Sequence, residues 1–503
     1  MESFGYLMQG FAVALTPYNL LWCFIGVFLG TVIGILPGLG PAATIAMLLP
    51  LTFQMNPTSG VIMLAGIYYG SKYGGSTTSI LLNVPGESAS VVTCFDGYQM
   101  ARQGRAGAAL GIAAIASFIA GTFGVVGLML VAPPLAKFAL SFSSPEYFAL
   151  MCLGLAMVAL LAGKSMIKAL LAMMVGLWIA GMGTDIFTAT SRFTFGTAEM
   201  LDGIDFVVVA IRVFALGEVL GNMEVREGAQ ILPVPKGLRN LLPTLQDLKD
   251  CRFAFLNGSV VGFIIGVLPG AGSTIASFIS YGIEKAVSRR PEKFGTGVPE
   301  GVAAPEGANN AETGGAMVPL LTLGIPGSGT TAILLAAFIL WGLRPGPLMI
   351  QDNPTLFWGL VASMYVGNVM LLVLNLPLIP LFAQILRLPA YMLYPFIFGI
   401  SIVGVHSVSG SVFDTWMLAI FGLLGYAMRR LEYPSAPLIL GFVLGDIMER
   451  ALRQSLMMSQ GDLTILVSRP MSATMLFLAA LILLAPLFRK ADALRVKAIA
   501  EGS

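Results

Sequence analysis

Four short runs of proline and glycine carry most of the chemistry this sequence can do. Two share one form, Pro37-Gly38-Leu39-Gly40 and Pro269-Gly270-Ala271-Gly272. The others are Asn83-Val84-Pro85-Gly86-Glu87-Ser88 and Gly324-Ile325-Pro326-Gly327-Ser328-Gly329-Thr330-Thr331. Proline removes an amide and glycine permits a reverse bend, so each run leaves unpaired carbonyls before it and unpaired N–H groups after it. Carbonyl oxygens suit a desolvated cation such as Na⁺, whereas the start of a helix, with roughly half a positive charge, suits a carboxylate. On this basis Pro37, Gly38, Gly40, Pro269, Gly270, Gly272 and Thr274 are expected to bind a cation, with no metal site beyond a possible Na⁺. Asn83, Gly86, Ser88, Ser90, Asn309, Asn310, Gly327, Ser328, Gly329, Thr330 and Thr331 are expected to meet substrate. One such run alone is as readily a packing kink; four in matched pairs point to a designed interruption.

Polar stretches precede two of the breaks. Gly70 to Ser79 includes Lys72, and Ala304 to Thr313 includes Glu306, Asn309, Asn310 and Glu312. Asn, Glu and Lys are costly in lipid and are functional candidates wherever they lie within a membrane. Lys72 suits either a substrate carboxylate or a structural ion pair, and 306–313 suits either a buried site or an ordinary loop. Arg212, inside an apolar run, is a rival carboxylate ligand whose alternative is a pair with Asp205 or Glu218. The lone histidine, His406, is assigned no role. Cys23, Cys94, Cys152 and Cys251 have no C-x-x-C spacing and read as small apolar fillers. Gly324 and Gly329-Thr330 have the outline of a phosphate loop but lack its lysine, so no nucleotide site follows.

The elements that must position these runs form an internal repeat. Gly30 to Gly40 returns as Gly262 to Gly272, Gly74-Gly75 as Gly314-Gly315, Asn83 to Gly86 as Gly324 to Gly327, and Leu216 to Gly221 as Leu440 to Gly445. Repeats at 18–224 and 253–456 follow, joined by a linker at 225–252. An interfacial segment at 1–17 precedes them and a further span at 471–488 comes after. No cleavable signal peptide is expected at the start, which carries Glu2 and no Lys or Arg ahead of its apolar run. Matching loops differ in basic content: 54–59 has none, while its counterpart carries Lys285, Arg289, Arg290 and Lys293. Because Lys and Arg gather on the cytoplasmic side, the repeats are expected to be inverted and the linker cytoplasmic. The apolar stretch Phe253 to Tyr281 then lies between two basic segments. It must enter and return on one side, as a helical hairpin with its glycine tip near Pro269; Asn19 to Phe53 should do the same from the other side.

Composition sets the class. The 503 residues are 56% hydrophobic and 11% charged, with 59 glycines, 29 prolines, a net charge of +2 and mean hydropathy +0.85. Soluble chains carry roughly a quarter charged residues, so an all-α polytopic membrane protein of about 11–12 spans plus a C-terminal span is expected, with broken helices and hairpins. Dispersed basic residues argue against nucleic acid, and one histidine with few buried acids argues against an enzyme.

Taken together, the runs Gly34 to Gly40, Leu81 to Gly86, Gly266 to Gly272, Ala303 to Ala311 and Leu323 to Thr331 resemble the large membrane subunit of the tripartite tricarboxylate transporters (TctA-like), nearly end to end. The resemblance implies a multi-pass protein of the bacterial inner (plasma) membrane that carries a small carboxylate, such as citrate or a related di- or aromatic carboxylate. Transport would be coupled to Na⁺ or H⁺, with no cofactor. It also implies a small four-span membrane subunit (TctB-like) and a periplasmic solute-binding protein (TctC-like), in contact with membrane lipid. Ala308 to Asn310 follows the family pattern closely; Gly70 to Ser76 is more variable, so no role for Lys72 is carried over. A channel, or a transporter of a non-carboxylate solute, is the alternative.

Overall fold

A computed structural model describes residues 2–36, 40–52, 54–161, 165–185, 187–204, 241–270, 272–385 and 412–484, together with Val209, Val213 and Leu232. The described chain is almost wholly helical, its strands being Gly183–Thr184 and Ser191–Arg192, paired antiparallel. Among these residues four helices are long and apolar enough to cross a membrane: Pro17–Ile35, Thr93–Ala139, Ser144–Leu161 and Pro354–Leu378. Several shorter apolar helices accompany them, including Pro41–Thr52, Arg252–Val267 and Gly329–Leu340.

Two compact units are present. The larger comprises residues 1–139 and 205–435, and the smaller 140–204 and 436–503. Both draw on both halves of the sequence.

In the larger unit two buried helices dominate, Pro57–Leu82 and Glu300–Leu323. These first and second core helices are nearly fully buried although rich in Gly, Ser, Thr, Asn and Glu. Small residues are what let them be buried. Gly26, Gly30 and Gly34 of the helix Pro17–Ile35 lie against the backbone oxygens of Met63, Ile67 and Ser71. Gly258, Gly262 and Gly266 of the helix Arg252–Val267 lie likewise against Ala304, Ala308 and Glu312. A Cβ at any of the six would overlap the facing oxygen. With no hydrophobic drive between helices in lipid, such four-residue stripes of small residues allow the close approach on which packing depends. The same local arrangement thus occurs at matched positions of the two halves.

Each core helix stops at a left-handed residue, Asn83 (φ 57°) in one and Gly324 (φ 69°) in the other. A proline-glycine turn follows, and then a new helix: Ser88–Val91 and Thr93–Met100 after the first break, Gly329–Leu340 after the second. The hairpin expected in the second half is present. Arg252–Val267 and Gly272–Val287, each of 16 residues, pack on one another, and Asn257 Nδ2 donates across the pair to the Ser280 carbonyl at 2.9 Å. Sixteen residues rise about 24 Å, less than the roughly 30 Å of a hydrocarbon core. Gly270 (φ 84°) and Gly272 (φ 63°) at the turn adopt the left-handed conformation that glycine tolerates without strain. In the first half, Pro17–Ile35 and Pro41–Leu48 flank 37–39, which lie outside the described residues. The N-terminal helix Glu2–Ala14 packs along Pro354–Ile385.

The smaller unit holds Ser144–Leu161, Met166–Ala180, the strand pair and most of Ser435–Met458. Its polar end is tied by Asp185, which accepts from the Phe187 and Thr188 amides at 2.8 and 3.1 Å and pairs with Arg453 at 2.8 Å. Arg192 and Arg453 both reach Glu449 at 2.8 Å.

Candidate functional site

The two core helices face each other through polar side chains. Tyr68 Oη donates to Glu312 Oε2 at 2.9 Å, and two turns along, Ser76 Oγ donates to Glu306 Oε2 at 2.5 Å. The numbers rise on one helix as they fall on the other, so the helices run antiparallel with these bonds as two rungs. Thr93, beyond the first break, also donates to Glu306. Lys72 lies four residues from both Tyr68 and Ser76, and Asn309 three from both Glu306 and Glu312. At helical spacing, Lys72 and Asn309 therefore stand at the level between the rungs.

Lys72 makes its hydrogen bonds toward the breaks and not to the facing helix. Its Nζ donates to Glu87 Oε2 at 2.9 Å and to Ser273 Oγ at 2.7 Å, and stands 5.6 Å from the centre of the Tyr68 ring. Glu87 belongs to the first proline-glycine turn, and Ser273 to the tip of the second hairpin. Thr274, next along, donates to Ser88 Oγ at 2.9 Å. The Gly270 amide donates to the Gly327 carbonyl at 2.7 Å. The second hairpin tip thus touches both breaks, and the helix Pro41–Leu48 packs against Gly329–Leu340.

Charge and burial define the setting. Lys72 is 3% exposed, Glu87 6%, Glu306 0% and Glu312 1%, so three carboxylates and one ammonium share a region closed to water. Burying such groups is tolerable only where each is paired or hydrogen-bonded. Two groups depart from that rule: Glu87 Oε1 has no partner, and Asn309 is fully buried with neither Oδ1 nor Nδ2 bonded. Beside this region a small cavity of mixed lining lies between Tyr73, Ser76, Thr77, Ser117 and Asn375 on one hand and Leu110, Ala113 and Ala114 on the other.

Several expected site residues converge here. Gly86 packs against Gly34 and Gly75, so close that a Cβ would lie 2.7 Å from the Gly75 Cα. Ser88 is exposed, and buried Ser90 donates back to the Glu87 carbonyl at 2.9 Å. At the second break, the Ser328 amide donates to Thr331 Oγ1 at 2.8 Å and the Thr331 amide to Ser328 Oγ at 3.3 Å. The amides of Gly329 and Thr330 then open the helix with no partner within it. Asn310 is turned elsewhere: its Nδ2 donates to Ser117 Oγ at 2.7 Å and to the Glu306 carbonyl at 3.0 Å. Asn83, Gly327, Pro269 and Gly272 form the turns themselves, and the Gly40 carbonyl accepts from the Thr44 amide at 3.2 Å. Pro37, Gly38, Arg212 and His406 lie outside the described residues.

Sequence reasoning passed over Tyr68, Glu87, Thr93 and Ser273, gave Glu306 and Glu312 no individual role, and left Lys72 between a substrate carboxylate and a structural ion pair, of which the described form has the ion pair with Glu87. The spacing held a signal. Tyr68, Lys72 and Ser76 repeat every four residues, and Glu306, Asn309 and Glu312 every three, which puts one polar face on each of two otherwise small-residue helices.

The Tripartite tricarboxylate transporter TctA family matches residues 20–440. The chain belongs to that family. A 52.8 kDa protein of Agrobacterium vitis, described as uncharacterized and placed in the TAR-I ttuC' 3' region, is 48% identical over 476 residues, covering 95% of this chain and 94% of that protein. A second A. vitis protein, in the TAR-II ttuC' 3' region, is 46% identical over 215 residues, 43% of this chain and 89% of its own length. No solved structure matches. Family membership and the apolar helices make this a membrane protein and a subunit of a multi-component transporter.

Proposed function

We propose that the chain is the transport subunit of a cation-coupled secondary carboxylate transporter of the bacterial inner membrane. In this reading it takes a tricarboxylate such as citrate, or a related carboxylate, from a periplasmic binding protein, and works beside a small four-span membrane subunit. Alternating access would come from the two halves, treated as inverted repeats, moving about the region where hairpin tips and breaks meet.

The observation that carries the coupling is the charge balance around Lys72. Two further buried acids, Glu306 and Glu312, lie beside the Lys72–Glu87 pair, so a further carboxylate entering this water-poor region adds acid to acid where screening is weak. Its entry is favourable only with a compensating cation or proton. The turns at Gly40, Pro269, Gly270 and Gly272, with Thr274, are where carbonyl and hydroxyl oxygens could hold Na⁺; protonation of a buried carboxylate is the other route. The amides of Gly329 and Thr330, and the turn at Ser88, are the proposed contacts for substrate carboxylates.

Reconstitution with both partners in proteoliposomes tests this. Labelled citrate should accumulate above its external concentration when a Na⁺ or proton gradient is imposed, and stop accumulating when the gradient is collapsed. Equilibration without accumulation under either gradient would instead identify a channel.

A further inference from the structure

We propose that Lys72 is an exchangeable counter-ion: in the form described here Glu87 holds it, and on loading a substrate carboxylate takes Glu87's place and is completed by Asn309. The inference rests on the transport reading and adds to it the protein's own counter-charge for the substrate.

Three observations converge on it. Lys72 and Asn309 occupy the same level of two antiparallel helices, between the Tyr68–Glu312 and Ser76–Glu306 rungs. Both rungs are closed by hydrogen bonds, whereas the middle one is open, because Lys72 reaches sideways to Glu87 and Ser273. Asn309 is left with a buried donor and a buried acceptor and nothing to bond. An amide in that state costs stability in every molecule that carries it. The group that satisfies it must offer an acceptor for Nδ2, and a carboxylate oxygen does so while also pairing with Lys72. A second polar group on the ligand, such as a hydroxyl, would serve Oδ1.

Glu87 is suited to the exchange by its position. It sits in the proline-glycine turn, not on the core helix, so it can leave Lys72 when the turn moves while Tyr68 and Ser76 keep their bonds. Ser273, on the second hairpin tip, shares the ammonium, so a change of partner at Lys72 is felt at the hairpin. An ion pair of purely structural purpose would need none of this. It would also not explain an unsatisfied amide at the same level.

The experiment is citrate and succinate binding to the purified full-length chain, followed by ligand-induced thermal stabilisation, with trimethyl citrate as the uncharged control. Glu87→Gln removes the competitor and keeps a hydrogen-bond acceptor, so citrate affinity should rise about tenfold. Asn309→Leu should lower affinity at least tenfold with the chain still folded. Lys72→Met could leave Glu87 buried without a partner, and therefore the double variant Lys72→Met, Glu87→Gln is the informative one. It removes the pair as a unit, which a folded protein commonly tolerates, and should bind no citrate. Unchanged or weaker binding in folded Glu87→Gln, or wild-type binding in the double variant, overturns the exchange while leaving the transport reading intact. A wild-type chain that binds neither carboxylate overturns both.

Discussion

Lys72 and its neighbours illustrate how much a single buried residue demands of those around it. Its ammonium is held by a carboxylate, a hydroxyl and an aromatic face from three different segments. None of those partners is near it in sequence except Tyr68, and hydroxyls on small-residue helices leave no local trace, which is why Ser273 and Thr93 escaped sequence reasoning. The acids and Asn309 are visible as a polar run; that the run is helix and not loop depends on packing, with the glycine stripe at Gly258, Gly262 and Gly266 pressed against it. The rungs make a residue-level prediction. Tyr68→Phe removes the hydroxyl bonded to Glu312 and should lower unfolding free energy by about 1–3 kcal/mol, the cost of leaving a buried polar group unsatisfied. Urea or thermal unfolding in detergent measures it, and an unshifted transition would mean that the rung contributes nothing. Ser328→Leu, at the head of the second post-break helix, should weaken citrate uptake at least tenfold and leave the binding protein's own affinity for citrate unchanged; equal uptake by both forms would exclude that helix start from the substrate path.

At the scale of elements, the second hairpin is legible in the sequence. An apolar stretch too short to cross twice, bounded by basic residues and bent at Pro-Gly-x-Gly, has few other solutions. What could not be read was where its tip would rest, because Thr274 meets Ser88 and Gly270 meets Gly327 across large sequence separations that only topology fixes. The stripe on Arg252–Val267 predicts that Gly262→Leu separates that helix from Glu300–Leu323. Overpacking of this kind costs typically 1–3 kcal/mol or more, and the variant should fail to accumulate or should lose most of its thermal stability, while Gly282→Leu, with open space at its Cβ, should behave as wild type. Similar losses in both would remove the stripe's special status. In the smaller unit Asp185 gives a pH signature. Burial pushes its carboxyl up, but the Phe187 and Thr188 amides and the Arg453 and Arg192 guanidiniums outweigh it and hold the group below the ordinary carboxylate range. A lowered folded value means that its contribution is complete above the ordinary carboxylate value and is lost as pH falls through the lowered one. Asp185→Asn should therefore reduce thermal stability at neutral pH and make no difference at strongly acidic pH. A constant difference at both would rule out the charge as its origin.

In the larger unit, two helix pairs are packed in the same way. The glycine runs in the sequence pointed to the pairing, and the matched contacts of Gly26, Gly30 and Gly34 with those of Gly258, Gly262 and Gly266 give it a packing form. Orientation in the bilayer is a separate matter, argued only from the basic loops. It predicts that cysteines at exposed Gln54 and Gln351 react with an impermeant reagent added from the periplasmic side, and one at exposed Arg289 only from the cytoplasmic side. Reaction of Gln54→Cys and Arg289→Cys from the same side would contradict inversion. In the proposed reading, function is tied most closely to charge: beside three buried acids and one ammonium, a further anion enters together with a compensating cation or proton. The decisive measurement is the citrate affinity of the purified chain as Na⁺ is varied at fixed pH, and as pH is varied without Na⁺. The account predicts that affinity rises steeply with one of the two cations, by tenfold or more across the range. Citrate binding that is equally tight at every Na⁺ concentration and every pH would contradict it.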